Sequence, residues 1–244
     1  FVEGGQVEEF TVESGRPDSL NENKLLIMKK YGVGRISINP QTMNDDTLRL
    51  IGRNHSAEDI REKFGMARRI GFDRINMDII VGLPYEGPEH VKRTCIEILK
   101  LKPDNLTVHG LSVKRGSRLY EKIINKDSYN PPGQEEVMEM FGQTRQLAES
   151  LGMKPYYMYR QKNMVGNMEN IGYSTQDKVG LYNIQMIEER QTIIACGADG
   201  VTKLIYHDEG RIDRFPNLKD IKEYNLRIEE TVEKKFDLLN TLYK

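Results

Sequence analysis

Three segments of predicted β-strand end in polar side chains that could bind a small ligand. The strands are predicted at 7–13, 35–41 and 74–82. Glu13 and Gln41 end the first two, and Asp78 lies in the third among Ile and Met residues. Side chains alternate between the faces of a strand, so these polar groups share one face of a sheet. Carboxylate and amide groups in such a place can bind ligand hydroxyl or amino groups.

The predicted elements that position these residues alternate between strand and helix. Strands are predicted at 7–13, 35–41, 74–82 and 104–112, and helices at 21–31, 45–51, 57–70 and 88–101. This alternation predicts a parallel sheet with right-handed crossovers. Strands covered on both faces are usually apolar throughout, whereas these have one polar face. We therefore expect the sheet to curl towards a barrel with a polar ligand cavity beyond its carboxyl ends.

Asp78 needs a partner in such an interior, because an unpaired buried carboxylate costs several kcal/mol. Two interpretations stay open, a bound ligand or a structural arginine or backbone N–H. His109, in the strand 104–112, is the histidine predicted nearest to the cavity, and we interpret it as a structural histidine. Tyr159 and Arg160 end a predicted strand at 155–160; its tyrosines either line a planar ligand or pack in the core.

The rest of the chain continues with mixed elements. We predict a helix at 134–151, a functional loop at 161–183, a helix at 184–191, a strand–turn–strand at 192–206 and one long terminal helix that carries Ile221 and Leu239.

Composition excludes several classes of protein. The 244 residues have a net charge of −1, which argues against a nucleic-acid partner bound through a basic surplus. The hydrophobic fraction of 38% and charged fraction of 30% are those of a folded protein, and we expect no membrane span. Cys95 and Cys196 lie too far apart for a CxxC motif and suggest a reducing, cytoplasmic location.

Several motifs resemble the oxygen-independent coproporphyrinogen III oxidase family. They are SINPQTMNDDTLRLIGRNHSAEDI, GFDRINMDIIVGLP and LKPDNLTVHGLSVKRGSRLY, while YYMYRQKNMVGNMENIGY and TIIACGADGVTK resemble its HemZ-type branch. These are radical S-adenosylmethionine (SAM) enzymes of haem biosynthesis, with relatives that serve as haem chaperones. The resemblance implies an α/β fold, a partial TIM-like (β/α) barrel truncated on its N-terminal side. It places the partial barrel at 1–125, and the barrel completion with an α+β region at 126–244.

The resemblance also implies a set of cofactor-binding residues at the carboxyl ends of the strands. The family's SAM-binding positions match Glu13, Gln41, Arg53 and Asp78, with adenine near Ile80 and Ser112 through backbone groups. Asp78 suits a ribose hydroxyl, and Arg53 suits the SAM carboxylate. Tyr159 and Arg160 are candidate substrate contacts.

One family motif is missing from these 244 residues. The family holds a [4Fe–4S] cluster through CxxxCxxC, which the two cysteines do not match. We therefore expect this chain to be part of a longer protein, to lack the cluster and to be inactive alone. We also expect self-association through the exposed edge of the strand 7–13.

The implied reaction is oxidative decarboxylation of coproporphyrinogen III to protoporphyrinogen IX. The implied partners are a porphyrinogen, or haem, and an electron donor such as flavodoxin or ferredoxin. Two alternatives stay open: a haem-trafficking chaperone on the same scaffold, or a SAM-dependent enzyme with another substrate. Fold resemblance alone does not decide between these activities.

Overall fold

The computed structural model describes residues 7–112, 132–162 and 164–243. The chain packs as two compact units, the first ending at Leu181 and the second beginning at Tyr182. The domain boundary predicted between 125 and 126 lies outside the described residues and stays a prediction.

The first unit contains a six-stranded sheet. Its strands are β1 (Thr11–Val12), β2 (Arg35–Ser37), β3 (Ile75–Val81), β4 (Asn105–Gly110), β5 (Lys154–Tyr159) and β6 (Asn170–Ser174). The spatial order is β1-β2-β3-β4-β6-β5. The strands β1 to β4 are parallel, as the alternation predicts, and β6 is antiparallel to both β4 and β5.

Several strand predictions are corrected by the structure. The strand predicted at 7–13 is only Thr11–Val12, and within the strand–turn–strand predicted at 192–206 only Val201–Tyr206 is a strand. The strand β2 ends at Ser37 rather than at residue 41, since the chain continues through Pro40 into a left-handed backbone conformation at Gln41. The predicted loop 161–183 contains β6. The short segment NIGYS has no clear hydrophobic period, and β6 forms because it pairs with a strand on each side.

Five helices connect the strands of the first unit. They are α1 (Glu22–Lys30), α2 (Asp45–Leu50), α3 (Ala57–Ile70), α4 (Pro88–Leu101) and α5 (Gln134–Ser150). The side chain of Asn21 accepts the Lys24 N–H at the start of α1. Ser56 and Asp59 form a reciprocal capping box at the start of α3. Capping groups of this kind satisfy N–H groups that the helix itself leaves unpaired.

The core lies on the apolar face of the sheet. Ile75, Met77, Ile79 and Val81 of β3 are each at most 2% exposed, and they belong to one hydrophobic cluster with buried side chains of the helices. Each such side chain contributes about 1.5–3 kcal/mol by leaving water. The opposite face carries the polar residues, so the predicted division of the strand into two faces is confirmed.

The second unit combines a hairpin with helices. Its elements are α6 (Leu181–Glu188), which begins at the unit boundary, β7 (Val201–Tyr206), β8 (Arg211–Pro216), α7 (Ile221–Leu226) and α8 (Ile228–Asn240). The single long terminal helix predicted from Ile221 is wrong. The backbone leaves the helical region at Arg227, with φ −112° and ψ 28°, and this separates α7 from α8.

Short 3₁₀ turns complete the described elements, at Pro17–Ser19, Val165–Asn167 and Thr241–Tyr243. Among the residues that the structure describes, no helix combines the length and apolar character needed to cross a bilayer.

Gly172 in β6 leaves room for an aromatic ring. A Cβ at this position would lie 1.8 Å from a ring carbon of Tyr157. We expect Gly172→Ala to lower the free energy of unfolding by roughly 1–3 kcal/mol, because the ring must move out of its packed position. Urea denaturation measures this change.

Gly65→Ala, in the interior of α3, is the matched control for Gly172→Ala. There a new Cβ would meet only Arg69 Nη1 at 3.5 Å, an ordinary contact. Alanine is the better helix former by about 0.5–1 kcal/mol, so this variant gains stability. Equal shifts for the two variants would show that the Tyr157 contact has no special cost.

Candidate functional site

Asp78 lies on the polar face of β3 and is half-buried. Its Oδ1 accepts a 2.8 Å hydrogen bond from Asn76 Nδ2, and its backbone N–H donates to Asn39 Oδ1 at 3.2 Å. Among the residues with described positions, no lysine or arginine forms an ion pair with this carboxylate. The structural-arginine alternative is therefore not what the structure shows. Asp78 keeps acceptor capacity for a ligand.

His109 faces Asp78 from the neighbouring strand β4. Its Nε2 lies 3.6 Å from Asp78 Oδ2, and its Nδ1 lies 3.4 Å from the hydroxyl of Tyr159. The sequence predicts a structural role for His109. The structure places it between Asp78 and Tyr159, and the signal for this was its position on the strand next to Asp78.

Gln41 has an unusual backbone that locks it against β3. Its φ is 67°, which is left-handed and uncommon for a residue other than glycine. Its N–H donates to the Asp78 carbonyl at 3.0 Å, and its carbonyl accepts the Ile80 N–H at 2.8 Å. Such a conformation costs of order 1–3 kcal/mol and persists where the surroundings hold it. The structure thus brings Gln41, Asp78 and Ile80 together through backbone hydrogen bonds.

A buried polar network, missed by sequence reasoning, supports the segment that follows Gln41. Glu86 is only 5% exposed, and its Oε1 accepts from Thr42 Oγ1 at 2.6 Å and Asn44 Nδ2 at 2.9 Å. Thr94 Oγ1, on α4, accepts the backbone N–H of Met43 at 3.1 Å. The network joins the segments after β2 and β3. Its signal in the sequence is the cluster of polar residues in QTMN and LPYEG.

Arg53 presents a half-buried cation without a carboxylate partner. No ion pair or side-chain hydrogen bond to it occurs among the described parts of the chain. Burial lowers the pKa of its guanidinium, and the charge of Arg16 acts in the same direction, while Asp18 and Asp78 oppose it. The planar guanidinium can therefore bind a ligand carboxylate in a bidentate manner.

The remaining SAM candidates are placed less closely around Asp78. Glu13 directly follows β1 and is exposed, and no contact joins it to Asp78 in the described ranges. Ser112 follows β4, and its hydroxyl donates to the Lys162 carbonyl at 2.8 Å. The structure therefore joins Gln41, Ile80 and Asp78 directly, whereas Glu13 and Ser112 flank them in sequence at strand ends.

The predicted aromatic segment divides into different environments. The rings of Tyr157 and Tyr159 are nearly parallel, at 8°, with centroids 6.3 Å apart. Burial raises the pKa of both phenols, so both stay protonated at neutral pH. Tyr157 packs over Gly172, and Tyr159 reaches His109. Arg160 is exposed and pairs with Glu169, so it lies apart from this cluster.

The two cysteines offer no metal site. Cys95 is buried, which raises the pKa of its thiol to about 12, and Cys196 is exposed in the second unit. Within the described ranges, no group of three or more His, Cys, Asp or Glu side chains could hold a metal ion. The residues present therefore do not fit an iron–sulfur cluster, which needs several thiolates.

Comparison with known proteins identifies relatives. Residues 5–98 match the family model described as the radical SAM superfamily. The chain is 43% identical over all 244 residues to the oxygen-independent coproporphyrinogen-III oxidase-like protein HemZ of Bacillus subtilis, covering 48% of that protein. It is 35% identical over 148 residues, 61% of this chain, to the heme chaperone HemW of Bacillus subtilis, covering 38% of it. The chain thus spans about half the length, or less, of these relatives.

A solved structure shows the same fold. The chain superposes on coproporphyrinogen III oxidase (HemN) from Escherichia coli with a TM-score of 0.66 and 18% identity, over 91% of this chain and 49% of that one. Four parallel strands with connecting helices, together with this match, confirm the partial barrel expected from the sequence.

Proposed function

We propose a function from one premise: the chain belongs to the radical SAM superfamily, among its oxygen-independent coproporphyrinogen III oxidase-like members. Members of this superfamily use SAM together with a [4Fe–4S] cluster. The proposed role of this chain is to form part of the SAM site of a haem-related protein. The observation that carries the proposal is the oriented Asp78 carboxylate, bonded to Asn76 and locked to Gln41 through the backbone.

The residues present fit SAM by their chemistry. Asp78 accepts hydrogen bonds from ribose hydroxyls, and Arg53 binds the methionine carboxylate. Gln41 offers an amide to the polar part of the ligand. In the proposed arrangement, Glu13 binds a polar group of SAM, and the backbone near Ile80 and Ser112 faces the adenine. When bound, SAM supplies the carbon-centred radical of this superfamily's chemistry.

The proposal includes a [4Fe–4S] cluster only for a longer protein that contains this chain. Neither Cys95 nor Cys196 lies in a CxxxCxxC motif, and we derive no step that uses a cluster held by this chain. The 244 residues alone are therefore proposed to be inactive.

The proposed reaction is oxidative decarboxylation of coproporphyrinogen III to protoporphyrinogen IX, with an electron donor such as flavodoxin or ferredoxin. It is supported by the 43% identity to a coproporphyrinogen oxidase-like protein over the whole chain. The second candidate, haem binding by a chaperone, is supported by the 35% identity to a heme chaperone. The longer match favours the oxidase.

Two measurements on the full-length protein containing this chain test the proposal. Calorimetry with S-adenosylhomocysteine, the stable SAM analogue, should show saturable binding that Arg53→Ala weakens. Arg145→Ala, which removes an exposed arginine paired with Glu149, is the matched control and should bind normally. Absence of binding by the unsubstituted protein would overturn the SAM site.

Anaerobic turnover separates the two candidate activities. With coproporphyrinogen III, SAM and a reductant, the oxidase releases carbon dioxide and forms protoporphyrinogen IX. A stoichiometric, saturable haemin spectrum without decarboxylation would favour the chaperone instead.

We also propose that the 244-residue chain associates through β1. This strand lies at the edge of the sheet and pairs only with β2 in the described portions of the chain, while Val7 and Phe10 beside it are exposed. Unpaired strand edges promote pairing between chains, and a lysine at the edge opposes it. Sedimentation should therefore show a dimer that Phe10→Lys weakens. A monomer at high concentration would contradict this.

A further inference from the structure

A chain of hydrogen bonds ends at the Oδ1 atom of Asp78. Thr107 Oγ1 donates to Asn76 Oδ1 at 3.3 Å, and Asn76 Nδ2 donates to Asp78 Oδ1 at 2.8 Å. The hydroxyl of Tyr157 lies 3.3 Å from Thr107 Oγ1. Because the single proton of Thr107 is already used, Tyr157 is the donor in this contact. Every proton along this branch points towards Asp78.

A second set of contacts, through Tyr159 and His109, reaches the other oxygen of Asp78. The phenol of Tyr159 keeps its proton at neutral pH, because burial raises its pKa. The hydroxyl of Tyr159 lies 3.4 Å from His109 Nδ1. With Nδ1 as the acceptor in this contact, the imidazole carries its proton at Nε2. His109 Nε2 lies 3.6 Å from Asp78 Oδ2, close to the carboxylate but beyond hydrogen-bond length.

We propose that His109 and Tyr159 are positioning residues that orient the Asp78 carboxylate, so that its remaining lone pairs accept the two ribose hydroxyls of a nucleoside ligand. The inference rests on the proposed function, since it takes SAM as the nucleoside. It adds a reason for specificity. With Asn76 donating to Oδ1 and His109 beside Oδ2, the site selects a ligand group that donates two hydrogen bonds, as a vicinal diol does.

The burial of the participants gives the arrangement its effect. Asp78 and His109 have side chains 21% and 24% exposed, so water reaches them only in part. Asn76 and Thr107 are buried and cannot turn freely. Removal of one donor frees the carboxylate to rotate. Before the ligand binds, the carboxylate then samples several orientations, and only one of them suits the ligand. Preorganisation of this kind contributes to affinity by lowering the cost of ordering.

The test compares two ligands in the full-length protein containing this chain. The probes are S-adenosylhomocysteine and its 2′,3′-dideoxy analogue, and calorimetry gives the Kd of each. We expect His109→Leu to weaken the hydroxylated ligand about tenfold and Tyr159→Phe about threefold, as expected for a lost hydrogen bond. The dideoxy ligand, which has no diol, should bind both variants as it binds the unsubstituted protein.

Two further variants control this comparison. His109→Gln keeps an N–H that can donate to Asp78. Its Kd should lie within about threefold of that of the unsubstituted protein, a difference smaller than the loss of one hydrogen bond. His207→Leu changes an exposed histidine in the turn between β7 and β8 and should leave both affinities unchanged. If His109→Leu fails to fold, Tyr159→Phe, which keeps the ring, decides the question.

The outcomes separate this inference from the function on which it rests. Equal weakening of both ligands by His109→Leu or Tyr159→Phe would show a merely structural role and overturn the inference alone. Unchanged binding of the hydroxylated ligand would do the same. If the unsubstituted protein binds neither ligand, the proposed SAM site fails and the inference fails with it.

Discussion

We expect the replacement of Asp78 by alanine to weaken the proposed SAM binding by about 1–3 kcal/mol, or about 5- to 150-fold in Kd. The carboxylate is half-buried, accepts a hydrogen bond from Asn76 and lies 3.6 Å from His109 Nε2. Alanine removes the proposed acceptor for the ribose and also leaves the Asn76 amide without its Asp78 partner. Calorimetry with S-adenosylhomocysteine on the full-length protein measures the loss.

The Asp78 result needs a control for charge. Asp208→Ala removes an exposed carboxylate in the turn after β7 and should leave the affinity unchanged. Asp78→Asn keeps the size of the side chain but presents N–H donors on one side. Its affinity should therefore lie between the affinities of Asp78→Ala and Asp208→Ala. Unchanged affinity for Asp78→Ala would refute the role of this residue at the site.

The largest loss of stability is expected at Asp104, at the start of β4. Its carboxylate is paired with Arg68 at 2.7 Å and Lys178 at 2.8 Å, and it accepts the backbone N–H of Ile75 at 2.9 Å. Asp104 is 8% exposed, so alanine would leave the Ile75 amide without its acceptor and both cations without this carboxylate. Arg68 and Lys178 would still donate to backbone carbonyls. Breaking a buried pair costs about 3–5 kcal/mol.

For Asp104→Ala the lower end of that range applies, about 3 kcal/mol, because the side chains of Arg68 and Lys178 are 29% and 32% exposed and water replaces part of the interaction. Urea denaturation followed by circular dichroism measures the change. The control is Asp46→Ala, whose pair with Arg49 has side chains 97% and 69% exposed. This exposed pair should change stability by less than about 0.5 kcal/mol. A similar loss of stability in Asp104→Ala and Asp46→Ala would contradict the conclusion that burial makes the Asp104 pairs more stabilising.

Local patterns in the sequence were enough to predict much of the structure of the first unit. The alternation in β3 predicts both its buried face and the polar face that carries Asp78, and the structure confirms this. Asn21 and Ser56 are residue types that favour helix N-caps, and their side chains form those caps in the structure. The bounds of α4, 88–101, agree with the prediction. These features depend on neighbours within a few residues, so a single sequence contains their signal.

The candidate site was predictable only in part. Gln41 and Asp78 stand out by strand position, and the resemblance adds Arg53, but none of this predicts the left-handed backbone of Gln41. Glu86 lies beyond β3, 42 residues from its partner Asn44, and their contact forms only when the two loops meet. The sequence offered Arg160 and its neighbour Tyr159 equally as candidate substrate contacts, yet Arg160 is exposed and pairs with Glu169.

By itself, the sequence determined the parallel β/α architecture, its two-faced strands and the polar residues at their carboxyl ends, because periodicity and capping act over short distances along the chain. The tertiary structure alone decided that β6 pairs between β4 and β5, and that His109 stands between Asp78 and Tyr159. His109 and Tyr159 are 50 residues apart in the chain. Their meeting depends on the register of three strands and on ring packing, which no local pattern specifies.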